Sequence, residues 1–264
     1  MQKIVKNGVN LGYQLNVRPT NNGTDVFSQC CKRILDITST SIGLVVLSPL
    51  IALVALLIRR DSPGPVLYRQ IRIGRHGRPF QCLKFRTMLI DSDQHGSITT
   101  STDCRITRVG HVLRRYKLDE LPQLWQVLTG DMSLVGPRPD VPGYADLLAG
   151  EARRILDVRP GITGPATLAF RNEGELLRKS SDPAYYNDQV VYPEKTRINL
   201  EYVNNWSFWK DIGYILITVF PPLDRWLKLV PKLDQSVVGE YPILFPLQLG
   251  PNPYAKDRAG HQDS

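Results

Sequence analysis

Cysteine is scarce and unpatterned in this chain: Cys30, Cys31, Cys82 and Cys104 are all there is, and two of them are adjacent. No Cys-x-x-Cys or Cys/His spacing occurs, which argues against a zinc site or a disulfide framework and favours a reducing compartment. Histidine is as sparse, at His76, His95, His111 and His261, and neither His-Glu-x-x-His nor Gly-x-Ser-x-Gly is present. The metalloprotease and serine-hydrolase motifs are excluded with them. Walker A and Gly-x-Gly-x-x-Gly sequences are missing too, so a bound nucleotide must be held by something other than the usual glycine-rich loops. The first 28 residues are polar, without an apolar core or a small-residue cleavage site, and no secretory signal is expected in them.

What is present begins with charge. Lys and Arg number 33 against 25 Asp and Glu, a net charge of +8. That excess suits nucleic acid, an anionic membrane or a phosphate-rich substrate, and a merely solvated basic surface explains it equally well. No nucleic-acid-binding motif or aromatic platform accompanies the charge, so nucleic acid is not an expected partner. At 264 residues, 42% hydrophobic, the chain is globular and long enough for one generous domain or two small ones. No internal repeat is visible.

From Ser39 to Ile58 runs STSIGLVVLSPLIALVALLI, 20 residues without a charge. At 1.5 Å per residue such a helix could cross a hydrocarbon core of about 30 Å. Two features favour entry and return over a simple span. Ser48-Pro49 lies near the middle, where proline removes a backbone donor and the serine hydroxyl can re-bond the freed carbonyl. Both flanks are basic, Lys32-Arg33 before and Arg59-Arg60 after, and the positive-inside rule places each flank in the cytoplasm. The reading is a re-entrant helix–break–helix. A second membrane cue is WSFWKDIGYILITVFPPLDRWLKLV, which holds Trp206, Trp209 and Trp226 with interspersed Lys210, Arg225 and Lys228. Indole rings and basic side chains together suit the headgroup layer, although an aromatic core helix has the same composition. Pro221-Pro222 splits the stretch into two helices.

Further along, VLYRQ at 66–70 and Phe80–Met88 look extended, with Gly74 and Gly77 marking a hairpin between them. Residues Leu89 to Arg105 read as a polar loop. Helical periodicity returns at Val109–Tyr116, Asp119–Leu128, 145–157 and 188–220. Pro137-Arg138-Pro139 forms a stiff loop after Gly136.

The densest chemical constellation is Arg114-Arg115-Tyr116-Lys117-Leu118-Asp119-Glu120-Leu121-Pro122-Gln123. Asp119 and Glu120 are expected to open a helix, where acidic residues ordinarily just complement the dipole. The sharper reading is that backbone N–H groups there receive a phosphate. Mg²⁺, held by the carboxylates of Asp119 and Glu120 and by phosphate oxygens, then offsets the repulsion. A carboxylate so placed can act as a nucleophile and form an acyl phosphate. Arg114 is one candidate phosphate clamp, and Arg138, stiffened by Pro137 and Pro139, is another. Lys84 and Arg86 lie two apart on a presumed strand, so they share a face and could hold an anion between them; exposed basic strand residues are the plain alternative.

Taken in order, these blocks resemble the bacterial sugar transferase family, the monotopic phosphoglycosyl transferases, over about residues 29–220. The blocks are Lys32-Arg33 followed by Ser48-Pro49, then Gln70-x-Arg72-x-Gly74-x-x-Gly77 with KFRTM at 84–88. LDELPQLWQVLTGDMSLVGPRP at Leu118–Pro139 is the most specific of them. Arg159-Pro160-Gly161-Ile162-Thr163-Gly164 and Asn205-x-Ser207-Phe208-x-x-Asp211 follow.

The resemblance implies that Asp119 attacks the β-phosphate of a UDP-sugar, releasing UMP, and that polyprenyl (undecaprenyl) phosphate then takes the sugar phosphate, initiating surface glycan or exopolysaccharide synthesis. Glu120 completes the dyad, and Lys84, Arg114, Arg138 and Asp211 match positions associated with the active site. One departure stands out. Where many members read Ala-Gln-Val-x-Gly-Arg-Asn, this chain has PATLAFRN at 165–172, keeping Arg171-Asn172 but not the Gln or the Gly.

The expected architecture is mainly α with a small β element. A polar extension (1–28) precedes the re-entrant membrane helix (29–60). A compact cytoplasmic catalytic domain with interfacial amphipathic helices (61–230) and a C-terminal tail (231–264) follow, on the cytoplasmic face of a bacterial inner membrane. Whether the chain is a homodimer is left open by the sequence. The competing function is a non-catalytic, basic membrane-bound scaffold for glycan-assembly machinery.

Overall fold

The uncharged run folds into one long helix, α1 (Asn22–Asp61), with Pro49 inside it. The computed structural model describes residues 22–89 and 105–233; most of the expected N-terminal extension, the interior of the polar loop before Arg105 and the tail beyond 233 lie outside the described residues. By length and composition α1 is sufficient to cross a membrane, and if straight it would extend about 60 Å. The break expected at Ser48-Pro49 is not there: the helix continues through the proline. The reason is local. Proline has no N–H for the carbonyl four residues back, that of Val45, and the Ser48 hydroxyl donates to that same carbonyl at 2.8 Å, so the lost bond is replaced and the helix need not stop.

Both ends of α1 are docked on the rest of the chain. Near its start, the Lys32 ammonium donates to the Val135 carbonyl at 2.9 Å and pairs with Asp211. Arg33 donates to the carbonyls of Val127 (2.6 Å) and Leu128 (3.0 Å), groups that the end of a short helix leaves without intrahelical partners. Asp36 accepts from the Ser133 hydroxyl at 2.8 Å and the Leu134 N–H at 3.0 Å. The basic pair assigned to the membrane flank is therefore turned inward. In the other half, Val54 and Ile58 are buried with Phe85 and Leu113, flanked by Leu50, Ile51, Leu118 and Leu121, and the Asp61 carboxylate accepts from the Val109 N–H at 3.1 Å. Between the docked ends, Ile42, Val45 and Val46 stand 65–74% exposed.

The expected hairpin is present: β1 (Leu67–Ile73) pairs antiparallel with β2 (Pro79–Phe85), in register from Leu67 opposite Phe85 to Ile73 opposite Pro79. Its turn places Gly77 at φ 74°, a conformation that glycine adopts without strain. Helices α2 (Arg108–Arg115) and α3 (Gln123–Thr129) follow. Next comes a parallel pair that the sequence did not announce, β3 (Ser133–Val135) with β4 (Gly161–Thr163). Three residues are too few to show an alternation, and glycine carries the contact: a Cβ on Gly161 would sit 2.1 Å from the Gly136 nitrogen. The helix expected over 145–157 is instead two 3-10 segments, Ala145–Leu147 and Gly150–Asp157, separated where Gly150 takes φ 58°.

The remainder is helical: α4 (Pro165–Ala169), α5 (Glu173–Lys179), α6 (Pro183–Tyr186), α7 (Tyr192–Asn204), α8 (Phe208–Val219) and α9 (Asp224–Leu227). Among the described residues the fold is mainly helical with two small sheets. The prolines at 221 and 222 separate α8 from α9 as expected. The tryptophan cluster divides: Trp206 turns inward to donate to Asp211 at 2.9 Å, whereas Trp209, Val219, Phe220 and Trp226 face outward.

Asp211 is the fully buried centre of this docking, accepting from Lys32, from the Tyr202 hydroxyl at 2.8 Å and from the Trp206 indole. Asp211→Ala strands three donors, and removing one partner of a buried ion pair costs about 3–5 kcal/mol. Thermal unfolding of the full chain in detergent is expected to show a large fall in Tm for Asp211→Ala. The double variant with Lys32→Met should lose clearly less than the sum of the two single losses; strict additivity would mean that the two side chains are not coupled.

Candidate active site

Asp119 and Glu120 do not open an α-helix. They lie in a 3-10 turn, Leu118–Glu120, and α3 begins only at Gln123. Pro122 is the cause, because it has no N–H to offer the Leu118 carbonyl; Leu121 donates to that carbonyl instead, at 3.2 Å, which is the tighter 3-10 spacing. Lys117 enters the turn with φ 57°. The result places both carboxyl groups against β2 and the loop after β3 and buries them.

Their environments differ sharply. Glu120 is gripped by Arg138, which donates to both carboxylate oxygens, one at 3.2 Å, while the Lys84 ammonium stands 3.5 Å from Oε1. Burial pushes the Glu120 carboxyl up, but the Arg138 charge and hydrogen bonds, with Lys84 and Lys117, outweigh it and bring it down to about 2. Asp119 has no such clamp: its Oδ1 is buried without a hydrogen-bond partner, and burial, then the neighbouring Glu120 charge, push its carboxyl up from the usual aspartate value. Two adjacent carboxyl groups are thus driven apart, one locked as an ion and the other unpaired. Such a divergence separates chemical roles.

The loop that carries Arg138 is held on both sides. Arg72 donates to the Pro139 carbonyl at 3.1 Å, and the Gly161 N–H donates to that of Pro137 at 2.8 Å. Burial, followed by the Arg138 charge, lowers the Lys84 ammonium from its usual value. Arg138 and Lys84 therefore converge on one carboxylate, although no motif joins them in sequence.

The other residues picked out from the sequence are dispersed. Arg86 lies beyond the end of β2 and donates to the carbonyls of Ser62 (2.7 Å) and Pro63 (2.5 Å), so it does not share an anion with Lys84 but fastens the turn after α1. Arg114 donates to the Thr87 hydroxyl at 2.9 Å. Asp211 belongs to the Lys32 docking network described above. Arg171 lines a cavity of about 360 Å³ whose wall also includes Lys117, Glu120, Arg138, Asp140, Lys195 and Asn199.

Most of that wall was not legible as a motif. Tyr192, Lys195, Thr196 and Asn199 all line it, and they follow the i, i+3, i+4, i+7 spacing of one helix face. A polar stripe on a helix expected to pack inward is the signal that could have found them. Asp140 is reachable only through the fold; burial pushes its carboxyl up to about 6 against the pull of Lys195 and Arg72.

No group of three or more His, Cys, Asp or Glu side chains that could cage a metal occurs among the described residues. A magnesium ion needs less, one or two carboxylates plus substrate phosphate oxygens. The open Oδ1 of Asp119 fits that role, whereas Glu120 is already committed to Arg138.

Comparison with known proteins points to one family. The UDP-glucose:undecaprenyl-phosphate glucose-1-phosphate transferase of Escherichia coli (strain K12) is 40% identical over 195 residues, covering 72% of this chain and 39% of that protein. An enzyme of the same name from Caulobacter vibrioides is 37% identical over 213 residues, 78% of this chain and 74% of the relative. The UDP-N-acetylgalactosamine-undecaprenyl-phosphate N-acetylgalactosaminephosphotransferase of Aeromonas hydrophila is 38% identical over 198 residues, 71% of this chain and 42% of its own length. The chain thus spans less than half of two of these three relatives. The family described as bacterial sugar transferase matches residues 27–225, a stretch that takes in the docked α1, the clamped Glu120 and the polar cavity, and the chain belongs to that family.

Proposed function

We propose that the chain transfers a sugar 1-phosphate from a UDP-sugar to undecaprenyl phosphate, through a phosphosugar carried on Asp119. The observation that carries this reading is the unpaired, buried Asp119 carboxyl beside a Glu120 that Arg138 and Lys84 hold ionised. In the first step an Asp119 oxygen bonds to the β-phosphorus. The bond from that phosphorus to the bridging oxygen breaks, and UMP leaves with the oxygen and its electron pair. In the second step an oxygen of undecaprenyl phosphate bonds to the same phosphorus. The acyl–phosphate bond breaks, Asp119 is restored as a carboxylate, and the product is an undecaprenyl diphosphate sugar. Splitting the transfer lets one set of cations serve both displacements, because the same phosphoryl oxygens are held in each.

Glu120 orients Arg138 and Lys84 so that their remaining donors face an incoming diphosphate, a preorganised arrangement that costs no rearrangement during the reaction. Magnesium, bound at Asp119 Oδ1 and phosphate oxygens, would neutralise phosphate charge. The cytoplasmic face of the bacterial inner membrane is the setting this reading requires. Re-entry of α1 from that face is supported by two observations: both halves dock on the same domain, and the apolar surface between them is exposed. Outward-facing Trp209 and Trp226 suit the headgroup layer beside it.

Asp119→Asn is expected to lower UMP release at least about a thousandfold with every UDP-sugar, while the protein stays in the membrane fraction. Wild-type protein given a UDP-sugar labelled in the β-phosphate should retain label on Asp119, and the variant should retain none. Turnover by Asp119→Asn near the wild-type rate would end the covalent scheme.

The acid limb of the pH profile follows from the same carboxyl. Only ionised Asp119 is a nucleophile, and burial with the Glu120 charge raises its pKa. Activity should therefore be lost on acidification at a higher pH than for a solvent-exposed aspartate. Glu120→Gln removes one raising cause and should move that limb to lower pH, whatever it does to the plateau; an unmoved limb would mean that another group controls it.

For topology, cysteines placed one at a time beyond each end of α1 should label only from the cytoplasmic side. Labelling of either from the periplasm would establish a span.

A further inference from the structure

The cavity beyond the Glu120 clamp contains polar groups that nothing in the protein satisfies. Asn199, on α7, is 8% exposed and lines the cavity, yet its buried Oδ1 has no hydrogen-bond partner. Thr167, on α4, lines it as well, and its buried hydroxyl is also unpartnered. The buried Tyr192 hydroxyl on the same wall is unpartnered too. Buried amide and hydroxyl oxygens left unmade are costly, and three in one cavity mark it as built for a ligand that supplies the missing donors and acceptors.

Three observations say which part of a ligand this is. The cavity reaches Glu120 and Arg138 at one end, so its contents sit next to the phosphate being transferred. Its wall carries Asp140, Arg171 and the Lys195–Glu173 ion pair, a density of fixed donors and acceptors that suits a polyol better than a stacked base. Of the two rings on that wall, Phe170 already has the Lys195 ammonium over it at 5.5 Å, and Tyr192 packs edge-on against Tyr144 with centroids 4.9 Å apart. Resting on the transferase reading above, we propose that this cavity receives the sugar ring of the UDP-sugar, and that Asn199 and Thr167 select the sugar through its hydroxyl or acetamido groups.

The location has a further merit. Asn199 and Thr167 lie away from Asp119, so the sugar can be changed without changing the chemistry. Relatives with closely similar identity to this chain are named for glucose and for N-acetylgalactosamine.

The test uses full-length protein in lipid nanodiscs with undecaprenyl phosphate. UMP release is measured from UDP-glucose, UDP-galactose, UDP-N-acetylglucosamine and UDP-N-acetylgalactosamine, together with inhibition by UMP. Asn199→Leu is expected to lower kcat/KM for the preferred sugar about 10- to 100-fold and to shrink its advantage over the poorest one. The inhibition constant for UMP should stay within about threefold of wild type, because UMP carries no sugar. A parallel loss for all four substrates with weakened UMP inhibition would assign the cavity to the nucleotide and overturn the proposal. Unchanged ratios and constants would overturn it too. Thr167→Val, a near-isosteric change, reads the same ratios if Asn199→Leu fails to fold. Wild-type protein that releases no UMP from any of the four would defeat the transferase reading itself, before any variant is compared.

Discussion

The pairing of Arg138 with Glu120 is the constraint on which the site depends. Glu120 is buried and fixed as an anion, and a buried charge persists only when it is paired and hydrogen-bonded. Arg138 meets that need with two donors, and its own loop is held by Arg72 and by the backbone of β4. Lys84 adds a second cation from β2. Because these groups come from three separate elements, the ion cluster fixes the hairpin, the 3-10 turn and the loop after β3 relative to one another. The same cations leave Asp119 Oδ1 buried without a hydrogen-bond partner.

A second buried network links that cluster to the membrane segment. Lys32, Arg33 and Asp36 of α1 bind the backbone on either side of Gly130, at the end of α3 and along β3, and Asp211 binds Lys32 in return. The α3 helix follows directly from the turn that holds Asp119, and β3 leads directly into the loop that holds Arg138. Short, hydrogen-bonded steps therefore connect α1 to the site, and an exposed apolar stretch lies between its two docked halves.

The sequence showed best what depends on local rules. The charge-free run, the hairpin around Gly77, the stop at Gly130 and the split at Pro221 follow from residue type and spacing, and all are present. Asp119 and Glu120 stood out as an adjacent acidic pair, and the structure buries both, although Pro122 makes their turn 3-10. Long-range partners were not legible. Lys32 and Asp211 are 179 residues apart and Arg33 and Val127 are 94 apart, and nothing local shows that a basic membrane flank will fold inward. For the same reason the bonds from Arg86 to the Ser62 and Pro63 carbonyls were not legible in the sequence. The polar face of α7 that lines the cavity was not singled out, because the stretch 188–220 was read only as helical.

These two networks bear on why such a reaction would proceed through the protein at all. In the proposed scheme one substrate is a water-soluble dianion and the other a lipid whose phosphate stays at the membrane surface. Holding both at once would crowd two phosphate clusters, each multiply charged, into the space of one Arg138–Lys84 clamp, at separations where like charges repel strongly. In that scheme a carboxylate that received the phosphosugar first would let UMP leave before the lipid phosphate arrived, so the clamp would not face both charges together. The unpartnered Oδ1 of Asp119 and the clamped Glu120 would then be complementary halves of one electrostatic solution. The first would accept phosphorus; the second would keep the cations in place when the phosphates had gone.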